Sequence, residues 1–250
     1  MRTIKIGDIF QLGDHKLAYG NINDKNLIKE LIGENKINSA ILDVPYGIAY
    51  VESKSNFKQK LGCEKIIAND HKQTDKEYED FSFNWLENVK PYLAKKNSVY
   101  IFNSDRMIFA LRQAMLRAKY KFAQLLIWVK SHAVIGRLDY LPQHELIAYG
   151  WFGTHEFQHS KDKSVLFYPK PNKSKLHSTM KPIGLLRNLI LNSTKVSDTV
   201  FDGFGGSGST LIACEHTKRK CLMVELDKDH CSTIIARWEK LTGLKAKKLN

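Results

Sequence analysis

The stretch Thr199-Val200-Phe201-Asp202-Gly203-Phe204-Gly205-Gly206-Ser207-Gly208 constrains the fold more than any other in the chain. A short strand-like run ending in an acid enters a loop with four glycines in six residues, and Ser209 to Glu215 then reads as a helix. Glycine lets backbone approach a ligand closely, and the helix start aims unpaired N–H groups at it. Glu225 closes the next strand-like run, Cys221 to Glu225, 22 residues after Gly203. A carboxylate placed there accepts hydrogen bonds from both ribose hydroxyls of an adenosine-type cofactor. The pattern also satisfies a dinucleotide fingerprint, so a nicotinamide or flavin oxidoreductase stays open on these residues alone. A Walker loop is excluded, because no Gly-Lys-Ser/Thr follows. Only 25 residues follow Glu225, so the rest of the sheet must come from upstream.

Upstream, β-rich runs alternate with helical spacing. Strands are predicted at Lys16 to Tyr19, Ser39 to Asp43, Ser98 to Phe102, Phe122 to Val129 and Glu145 to Tyr149. Helices are predicted at Asp24 to Gly33, Glu77 to Leu93 and Asp105 to Lys119, with another after Pro182. Such alternation predicts a parallel sheet covered by helices on both faces. Two stretches break the rhythm: a polar one at 51–70, read as a mobile loop, and a polar, basic one from Trp151 to Lys175. The 250 residues suit one large domain, read as 1–250. No apolar run reaches the roughly 18 residues of a membrane span, and Met1 to Lys5 begins no apolar leader. Four scattered cysteines make no disulfide framework, so the expected compartment is a reducing cytoplasm.

Ser39-Ala40-Ile41-Leu42-Asp43-Val44-Pro45-Tyr46-Gly47 reads as a buried strand ending in a carboxylate, a proline and an aromatic ring. This turn resembles the Asp-Pro-Pro-Tyr motif of the amino-methylating DNA methyltransferases, the N6-adenine/N4-cytosine family that uses S-adenosylmethionine. The resemblance covers nearly the whole chain. The run through Asp202, Gly203, Phe204, Gly205, Gly206, Ser207, Gly208 and Thr210 is similar to the family's cofactor loop, and Val224-Glu225-Leu226-Asp227 to the acidic strand end that follows it. His177-Ser178-Thr179-Met180-Lys181-Pro182 is similar to the segment that helps hold the methionine moiety, with His177, Thr179 and Lys181 as its candidates. Lys16 to Asn21 is similar to the strand whose end meets the cofactor adenine, which puts Asn21 there. Ile127-Trp128-Val129-Lys130 and Gln143-His144-Glu145 are similar to stretches near the target-base pocket. Catalytic motif first and cofactor loop near the C-terminus is the order of the permuted β group. The resemblance implies a Rossmann-like methyltransferase fold with a mixed, mostly parallel sheet. It also implies methyl transfer from S-adenosylmethionine to a base flipped out of double-stranded DNA. The family often dimerises, but no sequence feature fixes an interface.

The chemistry explains the residue types. An exocyclic amino group is a poor nucleophile because its lone pair is delocalised into the ring. Acceptors placed on its N–H groups favour a pyramidal nitrogen, and a methyl sulfonium held in line permits direct displacement. Asp43 and the Val44 carbonyl are the candidate acceptors, Pro45 shapes the turn, and Tyr46 stacks on the flipped base. Asp at the head of the turn resembles the adenine-N6 enzymes, whereas Ser accompanies cytosine N4; either amino group fits the mechanism. Two departures stand out. Val44 replaces the first proline of the family motif, losing one fixed φ, although Pro45 still biases Val44 toward an extended backbone. Asn21 replaces the family's usual Asp, losing a charge. Reduced activity is expected, and a catalytically silent DNA-binding relative is the alternative.

Thirty-nine Lys and Arg against 26 Asp and Glu leave a net charge of +13, which attracts polyanions. From Trp151 to Lys195, eight cations face two acids, interleaved with aromatics, and residues 151–176 are read as a small target-recognition insertion. Lys170, Lys173 and Lys175 there, with Lys54, Lys58 and Lys60 in the loop after the turn, are the candidate DNA phosphate contacts. Lys245, Lys247 and Lys248 read as a frayed end. No metal is expected: His155 and His159 lack the glutamate of a zinc protease, and the cysteines lack paired spacing.

Overall fold

The computed structural model describes residues 4–47, 71–133, 138–159, 161–169 and 180–250. The chain runs through β1 (Ile9–Leu12), β2 (His15–Tyr19), α1 (Lys25–Ile32), β3 (Ile37–Asp43), α2 (Asp75–Val89), β4 (Leu93–Asn103), α3 (Ile108–Arg117) and β5 (Tyr120–Val129). It continues through β6 (His144–Phe152), β7 (Val165–Phe167), α4 (Ile183–Ser193), β8 (Thr199–Asp202), α5 (Ser209–Thr217), β9 (Lys220–Glu225), α6 (Lys228–Thr242) and β10 (Lys247–Lys248). The ten strands among the described residues form one sheet in the order β10-β1-β2-β9-β8-β3-β4-β6-β5-β7. Its middle, β2-β9-β8-β3-β4, is parallel, whereas β1, β6 and β10 run antiparallel to their neighbours. This is the mixed, mostly parallel Rossmann-like sheet that the sequence predicts.

Side chains alternate across the strands, so each strand feeds two cores. On β3, Ala40 and Leu42 pack with Leu27, Leu31, Trp85 and Leu111 from α1, α2 and α3. Ile41 points to the other face and packs with Leu185, Leu189, Leu211 and Trp238 from α4, α5 and α6. The N-terminal helices therefore cover one face and the C-terminal helices the other. Helix starts follow their capping residues: Asp24 accepts from Asn26 N and Leu27 N, and Thr74 with Glu77 forms a capping box on α2.

The connections set where a site forms. From β3 the chain moves outward to β4, and it returns later to lay β8 on the other side of β3. The crevice beyond the carboxyl ends of β3 and β8 is thus a topological switch point, where α/β sheets bind ligands.

Several elements differ from expectation. The helix predicted to reach Leu93 ends at Val89, because Pro91 belongs to a short 3-10 turn and Leu93 already starts β4. α6 lies where the sequence predicts no element, although Cys231, Ile234, Ile235 and Trp238 carry its buried stripe. The C-terminal lysines are not frayed. Lys247 pairs with Gln11, Lys248 pairs with Phe10, and Lys248 Nζ lies 2.7 Å from the Asp8 carboxylate. No helix among the described residues is long and apolar enough to cross a membrane.

Candidate active site

Asp43 is the last residue of β3, and the chain turns immediately after it. Val44 is buried in the core that holds Tyr78 and Trp85. Tyr78 of α2 donates its hydroxyl to the Pro45 carbonyl at 3.0 Å and accepts from Asn103 Nδ2 at 2.9 Å. Gly47 closes the turn at φ +62°, and its carbonyl accepts from Gln73 N. The turn is thus tied to α2 and to the end of β4.

Around the Asp43 carboxylate lies a box of charges. Lys181 Nζ donates to Asp43 Oδ1 at 2.7 Å and stands 3.2 Å from Glu145 Oε2. Lys130 Nζ lies 2.7 Å from Glu145 Oε1, and the Tyr46 hydroxyl donates to Glu145 Oε2 at 2.9 Å. Two carboxylates and two ammonium groups balance, as removal of charge from water requires. Burial raises the Asp43 carboxyl, and repulsion from Glu145 adds to this while Lys181 opposes it. Burial would also raise Glu145, but Lys181 and Lys130 outweigh it and hold that carboxyl at about 2. Lys181 would be lowered by burial, yet Asp43 and Glu145 raise it, so it stays cationic.

The glycine loop stands across the same crevice. Gly205 N donates to the Val224 carbonyl and Gly208 N to the Gly205 carbonyl, while Arg237 holds the Ser207 carbonyl from α6. Close packing explains the glycines: a Cβ on Gly203 would lie 2.1 Å from Ile22 Cδ1, and one on Gly205 2.9 Å from Met223. Asp202, at the end of β8, is buried, accepts from Phe204 N at 3.0 Å, and has no ion pair among the described residues. Burial pushes its carboxyl up to about 7, with Thr210 and Phe204 N opposing and Asp43 and Glu225 adding repulsion. Asp43, Lys181, Asp202, Phe204, Gly205 and Thr210 all line one cavity at the switch point.

Gly206 and Ser207 line the same cavity, and Gly208 caps α5 in the left-handed region. Glu225 accepts from Gly206 N at 2.5 Å and Asp227 N at 2.7 Å. Asn21 is brought beside that strand end, since Gly20 N donates to the Glu225 carbonyl, but its Oδ1 accepts from Asn23 N within its own turn. Lys181, expected at the methionine end of the cofactor, borders the cavity but has its ammonium on Asp43 and Glu145. His177, Thr179, Lys54, Lys58, Lys60, Lys170, Lys173, Lys175 and the 51–70 loop lie outside the described residues. Lys130 and Glu145 complete the site without being legible as site residues in the sequence. They sit in stretches that resemble a base pocket, but nothing in their spacing ties them to each other or to Asp43.

Among its described residues, the basic segment does not lie wholly beside this site. β6 starts at the active edge, where His144 pairs with Val129, and ends at the opposite edge, where Trp151 pairs with Lys121. Six residues of strand separate Glu145 from Trp151, about 20 Å. At that far edge His155 stacks on Trp151 with ring centroids 3.7 Å apart. Of the eight cations in the block, Lys181 is buried against Asp43 and Lys195 pairs with Glu156 at 2.8 Å. The chain climbs back to the active edge only along β7, which pairs with Ile127 to Val129.

A Rossmann-like sheet with a glycine loop and a strand-end carboxylate sharing one switch-point cavity is the layout of an adenosine-cofactor-dependent enzyme. Residues 37–236 match the family model of the N6/N4 DNA methylases, and the chain belongs to that family. It is 24% identical to the Type II methyltransferase M.HpaI of Haemophilus parainfluenzae over 82% of this chain and 69% of that protein. It is 22% identical to M2.MboI of Moraxella bovis over 84% and 83%. Among solved structures it resembles the M1.HpyAVI–SAM complex, with a TM-score of 0.65 and 21% identity over 88% of this chain and 98% of that one. It also resembles the cytosine-N4-specific PvuII DNA methyltransferase, with a TM-score of 0.68 and 16% identity over 92% and 90%.

The methyl donor of this family is S-adenosylmethionine, and the residues present fit it. That molecule carries an α-ammonium and a sulfonium. Asp202 offers the cavity a buried carboxylate with no cation of its own among the described residues, beside the glycine loop.

Proposed function

We propose that the chain methylates the exocyclic N6 of adenine in double-stranded DNA, on a base rotated out of the helix. The observation that carries this reading is the shared cavity: Asp43 faces the glycine loop, so an amino group held on its carboxylate meets the donor site directly. S-adenosylmethionine, when bound, supplies the electrophilic methyl group. Asp43 Oδ2 and the Val44 carbonyl accept the amino N–H groups and localise the nitrogen lone pair. The nitrogen that gains a methyl loses a proton, and Asp43 Oδ2 is the acceptor within reach. Lys181 on Oδ1 keeps the carboxylate oriented while this happens. Tyr46 supplies the ring on which the flipped base stacks.

Aspartate rather than serine at the head of the turn supports adenine. The Type II relatives support a role in modifying specific DNA sites. Residues 151–176 and 51–70, with Lys54, Lys58, Lys60, Lys170, Lys173 and Lys175, supply the phosphate contacts in this reading. The test is incubation with labelled S-adenosylmethionine and mixed-sequence DNA, followed by nucleoside mass spectrometry. N6-methyladenine is the expected product. N4-methylcytosine would replace the substrate while keeping the chemistry, and C5-methylcytosine or methyl on protein alone would overturn both.

A further inference from the structure

We infer that Glu145 is a positioning residue for this reaction, fixing the catalytic carboxylate through Lys181 and the stacking ring through Tyr46. The inference rests on the methyltransferase reading and deepens it.

Glu145 is the second residue of β6, and the neighbouring Leu146 pairs with Asn103 on β4. Its carboxylate therefore reaches past the end of β4 to meet the turn that follows β3. It is mostly buried, at 18% exposure, and three donors surround it. Lys130 Nζ holds Oε1 at 2.7 Å, while Lys181 Nζ and the Tyr46 hydroxyl share Oε2 at 3.2 and 2.9 Å. An ion pair that served only the fold could end on any surface. Here both groups on Oε2 belong to the reaction. Lys181 also grips Asp43 Oδ1, which leaves Oδ2 for the amino group, and Tyr46 is held by its hydroxyl on Glu145 with Lys181 Nζ 5.8 Å from its ring centroid. Lys130, which lies over the Trp128 ring, balances the second carboxylate so that Lys181 need not choose between the two. Among the described residues, the charged and titratable groups facing Asp43 are Tyr46, Glu145, Lys181 and Asp202, with Lys130 and Tyr78 one contact further out.

Two variants test the inference, with kcat, KM for DNA, the pH profile of kcat, cofactor affinity and thermal stability as readouts. Glu145→Gln is expected to lower kcat roughly 10- to 100-fold, the scale of a misplaced reacting group. Cofactor affinity should stay within about twofold, because the glycine loop is untouched. Removing the negative charge beside Asp43 should also move the acid limb of kcat to lower pH. Glu145→Gln combined with Lys130→Met removes one charge of each sign. It is expected to recover thermal stability lost in the single variant while kcat stays low. The inference is overturned if Glu145→Gln keeps the wild-type kcat and pH profile. It is equally overturned if the double variant restores kcat together with stability, since the role would then be structural. Wild-type protein that methylates no amino group in DNA would instead sink the functional reading itself.

Discussion

Asp43 and Asp202 end adjacent parallel strands and face one cavity, yet only Asp43 has a cation among the described residues, Lys181 Nζ at 2.7 Å. Asp202 is buried beside it with a hydroxyl and a backbone N–H as its partners. Two carboxylates so close repel one another, and the asymmetry separates their tasks. In the proposed reaction the ion-paired acid is the one oriented for the base, and the other takes a cation brought by the cofactor.

Cofactor affinity should therefore depend on pH. Burial holds the Asp202 carboxyl at about 7, above the ordinary carboxylate value of 3.8. The folded protein thus binds a proton that the unfolded chain releases, so this group's contribution to stability is lost as pH rises from about 4 through 7. A cationic ligand pairs with the ionised form and reverses that loss. Isothermal titration of S-adenosylmethionine should show affinity rising about tenfold between pH 6 and pH 8, as the ionised fraction grows. Asp202→Asn should bind more weakly and without that slope. A wild-type affinity flat across this range would refute the assignment.

Substituting the turn tests its preorganisation. Val44 lacks the fixed φ of proline, but Tyr78 compensates by tying the next carbonyl, that of Pro45, at 3.0 Å. Val44→Pro is expected to raise kcat several-fold, and Tyr78→Phe, which deletes the tether at a cost of about 1 kcal/mol, to lower it. Single-turnover kinetics distinguishes these effects from product release. An unchanged or lower rate for Val44→Pro would mean that the turn is already as rigid as catalysis needs.

The fold was legible where a pattern is local. The strand, glycine loop, helix and acid from Thr199 to Glu225 fix a βαβ unit by themselves, and the Asp43 turn marks the edge at which it works. What stayed hidden depended on long-range pairing. Lys130 and Glu145 meet because β5 and β6 pair in a register that only the assembled sheet defines. Trp151 itself lies at the far edge because sequence order hides direction: an antiparallel β6 carries its end away from the site, and β7 leads the chain back. β10 was missed because two lysines have no strand signature, and only the free edge of β1 makes them one.

Gly208 tests the loop's geometry. It sits at φ +77°, and a Cβ there would lie 2.9 Å from Ile234 Cγ1. Gly208→Ala should cost about 1–3 kcal/mol through backbone strain and crowding. Adding Ile234→Ala relieves crowding but not strain, so thermal melts should recover nothing beyond what Ile234→Ala alone predicts from its own cavity plus that relief. A melting temperature equal to wild type for the single variant would show that the loop relaxes.

The strand β10 covers the edge of β1. Asn250 Oδ1 accepts from Ile9 N at 2.8 Å, its Nδ2 donates to the Gly7 carbonyl at 3.1 Å, and Leu249 N donates to the Ile9 carbonyl at 2.8 Å. Deleting residues 244–250 removes these bonds, the buried Ala246 and the Lys248–Asp8 pair, and leaves β1 as an open edge. A loss of about 2 kcal/mol corresponds to a fall of roughly 4–8 °C in melting temperature for a chain of this size. Lys248→Ala alone should change little, because a partly exposed ion pair contributes at most about 1 kcal/mol. The steady-state constants should hold below the melting transition, since β1 lies four strands from β3. If the truncated chain melts with the full-length one, the last strand contributes no stability. If it melts normally but binds cofactor poorly, this edge reaches the site through β2 and β9.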